Sequence, residues 1–171
     1  MKTATPKRFV KSASTSTPVS ASQRELERIL RRYGATDMAL GSNWEQRVVR
    51  VSFRVPDSPG SKVIVPIRLE VSIAAVAEAL GFTRGRYSWS TPVKPSQHGW
   101  EQAERVAWRH LVLWVDAAAA AVSAGMQTMS EAFLAHMLVK APDGSVKKVS
   151  GLLDEVAGEG GYRALLPPAT A

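Results

Sequence analysis

The chain has 171 residues, 45% of them hydrophobic, with no cysteine, three histidines and a formal net charge of +7. That length suits one domain with its own core, and the lack of cysteine excludes disulfides, thiolate zinc sites, thiol nucleophiles and iron–sulfur ligation. The basicity is uneven: residues 1–100 carry 16 Lys+Arg against 7 Asp+Glu, and residues 101–171 carry 6 against 8. This asymmetry fits a polyanionic partner as well as a solvated basic face.

Residues 1–21 form a basic arm with Lys2, Lys7, Arg8 and Lys11, many Ser and Thr, and no acid. That composition predicts disorder. It is shared by organellar transit peptides, although Pro6, Pro18 and the lack of an amphipathic pattern argue against a presequence helix. Ser22 and Glu25 have capping-box spacing, and Leu26, Ile29, Leu30 and Tyr33 recur at helical intervals before Gly34. A helix over 23–33 follows. Its other side, with Arg24, Arg28, Arg31 and Arg32, suits either solvent or phosphates.

The period then changes to two. Val49, Val51, Phe53 and Val55 alternate with Arg50, Ser52 and Arg54, and after Asp57-Ser58-Pro59-Gly60 the residues Val63, Val65, Ile67 and Leu69 share one parity. These runs predict an antiparallel hairpin, with Pro66 marking an edge strand. With Val55 facing Val63, Arg50 lies opposite Arg68, and opposed arginines need an anion or a carboxylate between them. Arg50, Arg54 and Arg68 are thus candidate phosphate ligands.

A short helix is expected from Ser72 to Leu80, ended by Gly81. The stretch 82–99 contains Arg84, Arg86, Tyr87, Trp89 and Lys94 without an acid. It predicts a loop whose cations track phosphates while its rings stack on bases, or whose rings pin it to the core. Trp100 to Ala124 carries a helical apolar stripe and five consecutive alanines. Thr128 and Glu131 then open a helix over 128–139 with Met129, Phe133 and Met137 on one face, which completes an αα-hairpin. Ala141 to Gly144 is a turn between the short strands 138–140 and 146–149, and a last amphipathic helix docks through Leu152, Leu153 and Val156 before the glycines at 158–161.

Chemical signatures are few. The chain has no Gly-rich phosphate loop, no Gly-x-Ser-x-Gly elbow and no His-Glu-x-x-His pair. His98, His110 and His136 lack the i, i+4 spacing of a helical metal site. Glu104, Arg109, Glu131 and His136 could meet between antiparallel helices for acid–base work, but an ion pair of Arg109 with Glu131 or Glu104 explains them more simply. The longest apolar run, Leu111 to Val122, is interrupted by Asp116 and falls short of the roughly 20 residues a membrane helix needs.

The strings Trp108-Arg109-His110-Leu111, Ala121-Val122-Ser123-Ala124-Gly125, Thr128, Glu131-Ala132-Phe133-Leu134-Ala135-His136 and Pro142-Asp143-Gly144 resemble a family of small uncharacterised bacteriophage and prophage proteins. Tyr33-Gly34-Ala35-Thr36 and the closing Leu-Leu-Pro belong to the same pattern, which spans most of residues 22–168. This chain departs from the family at Ala117–Ala121, where lysine and glutamate are usual. The resemblance implies a setting in a bacterial or phage cytoplasm and carries no activity, cofactor or catalytic residue.

The sequence therefore predicts one α+β domain over 22–168 with a tail at 169–171: an N-terminal helix, an antiparallel hairpin or small sheet, a long helix pair, and a short C-terminal hairpin or helix. The expected function is non-enzymatic binding of nucleic acid, single-stranded DNA first, through Arg50, Arg54, Arg68, Arg84, Arg86, Tyr87, Trp89 and Lys94, without a cofactor. The alternative is a protein partner bound by the helical half, as an inhibitor or regulator of a host defence or other complex.

Overall fold

The computed structural model describes residues 12–83, 93–141 and 144–160. Its architecture is α+β. Alternation makes the sheet: strands β1 (Thr36–Asn43), β2 (Val48–Pro56) and β3 (Ile64–Ser72) pair antiparallel in that order. Val49, Val51, Phe53, Val55, Val65, Ile67 and Leu69 are all buried on one face, whereas Arg50 and Arg54 are exposed on the other. Three helices pack on the apolar face, α1 (Val19–Arg32), α2 (Ile73–Ala79) and α3 (Gln97–Ser123), and among the described residues the opposite face keeps Arg50 and Arg54 exposed. An amphipathic antiparallel sheet with one solvated face is the expected outcome of period-two patterning.

The 27-residue α3 is the spine, burying Trp100, Ala103, Ala107, Trp108, Leu111, Val115, Ala118 and Val122 against the sheet and the other helices. Ser96 caps it, its Oγ accepting from Gly99 N at 3.1 Å, so the helix begins three residues before the position expected from its apolar stripe. Ser72 caps α2 in the same way, accepting from Ala75 N at 3.1 Å.

Four expectations change. Helix α1 begins at Val19, so the boundary expected at 21/22 falls inside it. Ser22 is not its cap but a fully buried helical residue, and Glu25 reaches Arg109 instead of the backbone. Residues 13 and 15 are held by Gln102, whose Nε2 donates to their carbonyls at 2.9 and 3.0 Å. Strand β1 was not expected, because Thr36–Asn43 has small and polar residues where a strand normally has β-branched ones.

The β2–β3 register is also shifted by two residues, placing Val55 opposite Val65 and Arg50 opposite Glu70. Both registers keep the apolar parity, but this one sets opposite charges across the pair and avoids the arginine clash. Finally, the second helix of the expected αα-hairpin is only α4 (Met129–Phe133), followed by a 3₁₀ turn at Leu134–His136. The Thr128–Glu131 capping box is present, yet the chain turns away to form β4 (Leu138–Lys140), which pairs with β5 (Val146–Lys148). Met137 makes a bridge to Ile67, so the C-terminal hairpin lies along the free side of β3. Helix α5 (Val149–Gly160) follows, with Leu152 half-buried but Leu153 exposed.

The β2–β3 loop is fastened to α4. Asp57 Oδ1 accepts from Ser130 N at 2.8 Å and Ser130 Oγ at 2.6 Å, and Asp57 O accepts from Met129 N at 2.8 Å. These bonds hold the Asp57 carboxyl below the usual aspartate range, the Ser130 hydroxyl contributing most and burial opposing. Among the described residues no helix is long and apolar enough to cross a membrane.

Candidate nucleic-acid interface

On the open face of the sheet the shifted register arranges the arginines as a triangle. Arg68 lies opposite Ser52, and Ser52 sits between Arg50 and Arg54 on β2, so Arg68 is diagonal to both. Diagonal neighbours on one sheet face lie about 7–8 Å apart, within reach of long side chains. The β1 positions beside them are small: Gly41 is opposite Arg50 and Ala39 opposite Ser52, both exposed. The face is therefore low and flat on the β1 side and cationic in the middle.

Two of the three arginines hold carboxylates. Arg50 Nε donates to Glu70 Oε1 at 2.7 Å, and Arg54 Nη1 lies 3.2 Å from Asp37 Oδ2. Asp37 reaches it from a bulge in β1, where its φ of 50° is one an aspartate tolerates. Lys148 of β5 donates to the second oxygen of Glu70. Burial alone raises the Glu70 carboxyl, but the bonds from Lys148 and Arg50 outweigh it and hold the group below its ordinary value. Among the described residues Arg68 has no such partner, and its buried Nε has no acceptor. Pairs this exposed contribute little to stability, about 0–1 kcal/mol each, and exchange readily for another anion.

Of the other expected site residues, Lys94 is exposed in the segment leading to α3. Arg84, Arg86, Tyr87 and Trp89 lie outside the described residues; the loop that carries them closes at a bond from Val93 N to Thr83 O of 2.9 Å. The acid–base group does not assemble. Arg109 pairs with Glu25 of α1 at 2.5 Å rather than with Glu131 or Glu104, which fixes α1 on α3. Glu104 accepts from Ser42 Oγ, which also accepts from Trp108 Nε1 at 3.3 Å. Glu131 is used in its capping box, and His136 packs edge-on to Trp114 at 5.0 Å. Burial first, and Lys148 second, keep His136 below its ordinary pKa, against a smaller opposing pull from Glu70. Among the described residues no three potential metal ligands cluster.

Sequence reasoning missed one further basic feature. In the β1–β2 turn, Asn43 Oδ1 accepts from Gln46 N at 2.8 Å, and Arg47 adopts a φ of 52°. Its guanidinium lies 5.1 Å from the Trp44 ring and 4.5 Å from that of Trp100. The bracketed cation ties the turn to the start of α3 through cation–π contacts. The Asn-Trp-Glu-Gln-Arg string between two alternating segments was the available signal, once β1 is accepted as a strand. No protein-family model, no curated protein and no solved structure matches this chain.

Proposed function

We propose that this chain is a nucleic-acid-binding accessory protein of phage or mobile-element DNA metabolism, and that the open sheet face receives its phosphates. The observation that carries this is the Arg50–Arg54–Arg68 triangle on a sheet face that no helix covers among the described residues, beside the small residues Ala39 and Gly41. A phosphodiester offers a guanidinium a geometry equal to that of the carboxylates now held by Arg50 and Arg54, and Arg68 is the one of the three with no carboxylate partner among the described residues. Glu70 is the competitor: it holds Arg50 and Lys148 and has to yield part of that hold when a phosphate arrives. The preference for single strands rests on the rings of Tyr87 and Trp89, and the phage setting rests on the family resemblance.

The test is a fluorescence-anisotropy titration with single-stranded DNA, duplex DNA and RNA at two salt concentrations. Expected is binding that weakens steeply with salt, with Arg50→Ala and Arg68→Ala each flattening the salt slope by about one unit. Tyr87→Ala and Trp89→Ala should cost about 1–3 kcal/mol on single strands and leave the slope nearly unchanged. A folded protein that binds none of the three at low salt overturns the proposal. That result favours the second reading, a protein partner on the helical half, where Trp114 is 39% and Leu134 53% exposed.

A further inference from the structure

The two edges of the sheet are treated differently. The outer side of β3 is occupied by the protein itself, through the Ile67–Met137 bridge and the Lys148–Glu70 contact. The outer side of β1 has no backbone partner among the described residues. Edge strands present a row of unpaired N–H and C=O groups, and proteins that keep them single place lysine, proline or inward charges there. In β1 the bulge at Asp37 interrupts only the first end, and Met38–Asn43 contains no lysine, no proline and no charge. Beside this edge runs a groove of about 500 Å³ lined by Glu27 and Arg31 of α1 and by Ala35, Thr36, Asp37, Met38 and Leu40. Met38 and Leu40 point to the apolar side of the sheet yet remain only half-buried.

We propose that β1 pairs antiparallel with β1 of a second copy of this chain, forming a two-fold dimer with one continuous six-stranded sheet. Several observations select this occupant. The bare backbone edge asks for a strand rather than a helix. Glu27 and Arg31 neutralise each other at 2.6 Å, and Asp37 is neutralised by Arg54, so the groove favours an uncharged strand with apolar residues at alternate positions. Met38–Asn43 has that character, and an isologous pairing lets each copy's Met38 and Leu40 cover the other's groove.

A two-fold axis perpendicular to the sheet pairs residues of equal parity. The two arginine faces are then coplanar and continuous, which doubles the phosphate surface of the proposed function, although the dimer itself does not depend on that function. One strand pair and a groove lie at the low end of specific interface areas, below about 1,200 Å², where association is reversible on dilution.

The cysteine-free chain makes the test direct. A two-fold through Gly41 juxtaposes both copies of residue 41, one through Ala39 both copies of residue 39, and one through Leu40 residue 39 of one copy with 41 of the other. Ala39 is exposed and a side chain added at Gly41 meets nothing within 4 Å, so Ala39→Cys and Gly41→Cys preserve the fold. Expected on mild oxidation is a disulfide-linked dimer from one variant, or from their mixture, while Ser123→Cys on α3 remains monomeric. In sedimentation the native chain should rise from 18.5 kDa towards twice that mass between about 1 and 300 µM. Leu40→Lys should hold it at the monomer mass, with Ala39→Lys as a second edge-blocking variant if Leu40→Lys fails to fold. Sedimentation as a monomer over the whole range overturns the proposal. So does a dimer that neither lysine variant weakens and neither cysteine pairing traps.

Discussion

The two faces of the three-stranded sheet are made from the same strands and do opposite things. On one face Val51, Phe53, Ile67 and Leu69 are 0–2% exposed and meet Trp108 and Phe133 in the core. On the other, Arg50 and Arg54 are exposed and Arg68 is half-buried, and carboxylates pair with the first two only. The buried face carries the stability, since each fully buried large side chain contributes about 1.5–3 kcal/mol. The open face contributes little, so its residues are free to serve a partner.

The largest effect is expected at Phe133, which is 1% exposed and meets Phe53 and Trp114 edge-on at centroid distances of 6.1 and 5.3 Å. Phe133→Ala should cost about 3–5 kcal/mol in chemical denaturation; a loss near 1 kcal/mol would place it outside the core. Next is Asp57, which joins the β2–β3 loop to α4. Asp57→Ala should cost about 1–2 kcal/mol, as the loss of a helix-capping carboxylate does.

The pH dependence of this contact has a definite sign. The Asp57 carboxyl is lowered in the folded state, so its contribution is complete above the ordinary aspartate range and disappears as pH falls through the lower folded value. Asp57→Asn should remove that acid-dependent part, visible as a smaller stability difference between pH 6 and pH 3 (conditions spanning the ordinary carboxylate range of about 4). An unchanged difference would show that the loop is held by the backbone bond alone.

On the open face the order reverses, with small effects on stability and clear ones on binding. Arg50→Ala should change stability by no more than about 1 kcal/mol. Glu70→Gln should tighten nucleic-acid binding and steepen its salt dependence, because it releases Arg50 and Lys148 from a competing carboxylate. Weaker binding in that variant, with the fold intact, would mean that Glu70 positions the cations rather than competing for them. Smallest of all, Arg28→Ala on the exposed side of α1 should stay within about 0.5 kcal/mol.

The buried face was legible in the sequence because burial imposes a period, and β2, β3, α2 and most of α1 and α3 follow from it. The open face was legible only in part. Its arginines could be placed on one side by parity, but parity permits registers two residues apart, and the observed one sets Glu70 rather than Arg68 opposite Arg50. Strand β1 escaped notice because an edge strand needs less β-branched packing than a central one. Ser22 misled for a related reason: a serine before an apolar run also suits a tight helix–helix contact, and Pro18 precedes an earlier start. The helix over 128–139 ended early because Met137 is drawn to the edge of β3, a tertiary contact that no local pattern records.

The most direct test of the open sheet face as a phosphate surface is the salt dependence of single-stranded DNA binding by the native chain, Arg68→Ala and Arg28→Ala. Arg68→Ala should flatten the slope by about one unit while Arg28→Ala, in α1 on the other side of the sheet, leaves it unchanged. Equal slopes for all three proteins, or a loss only in Arg28→Ala, would contradict it.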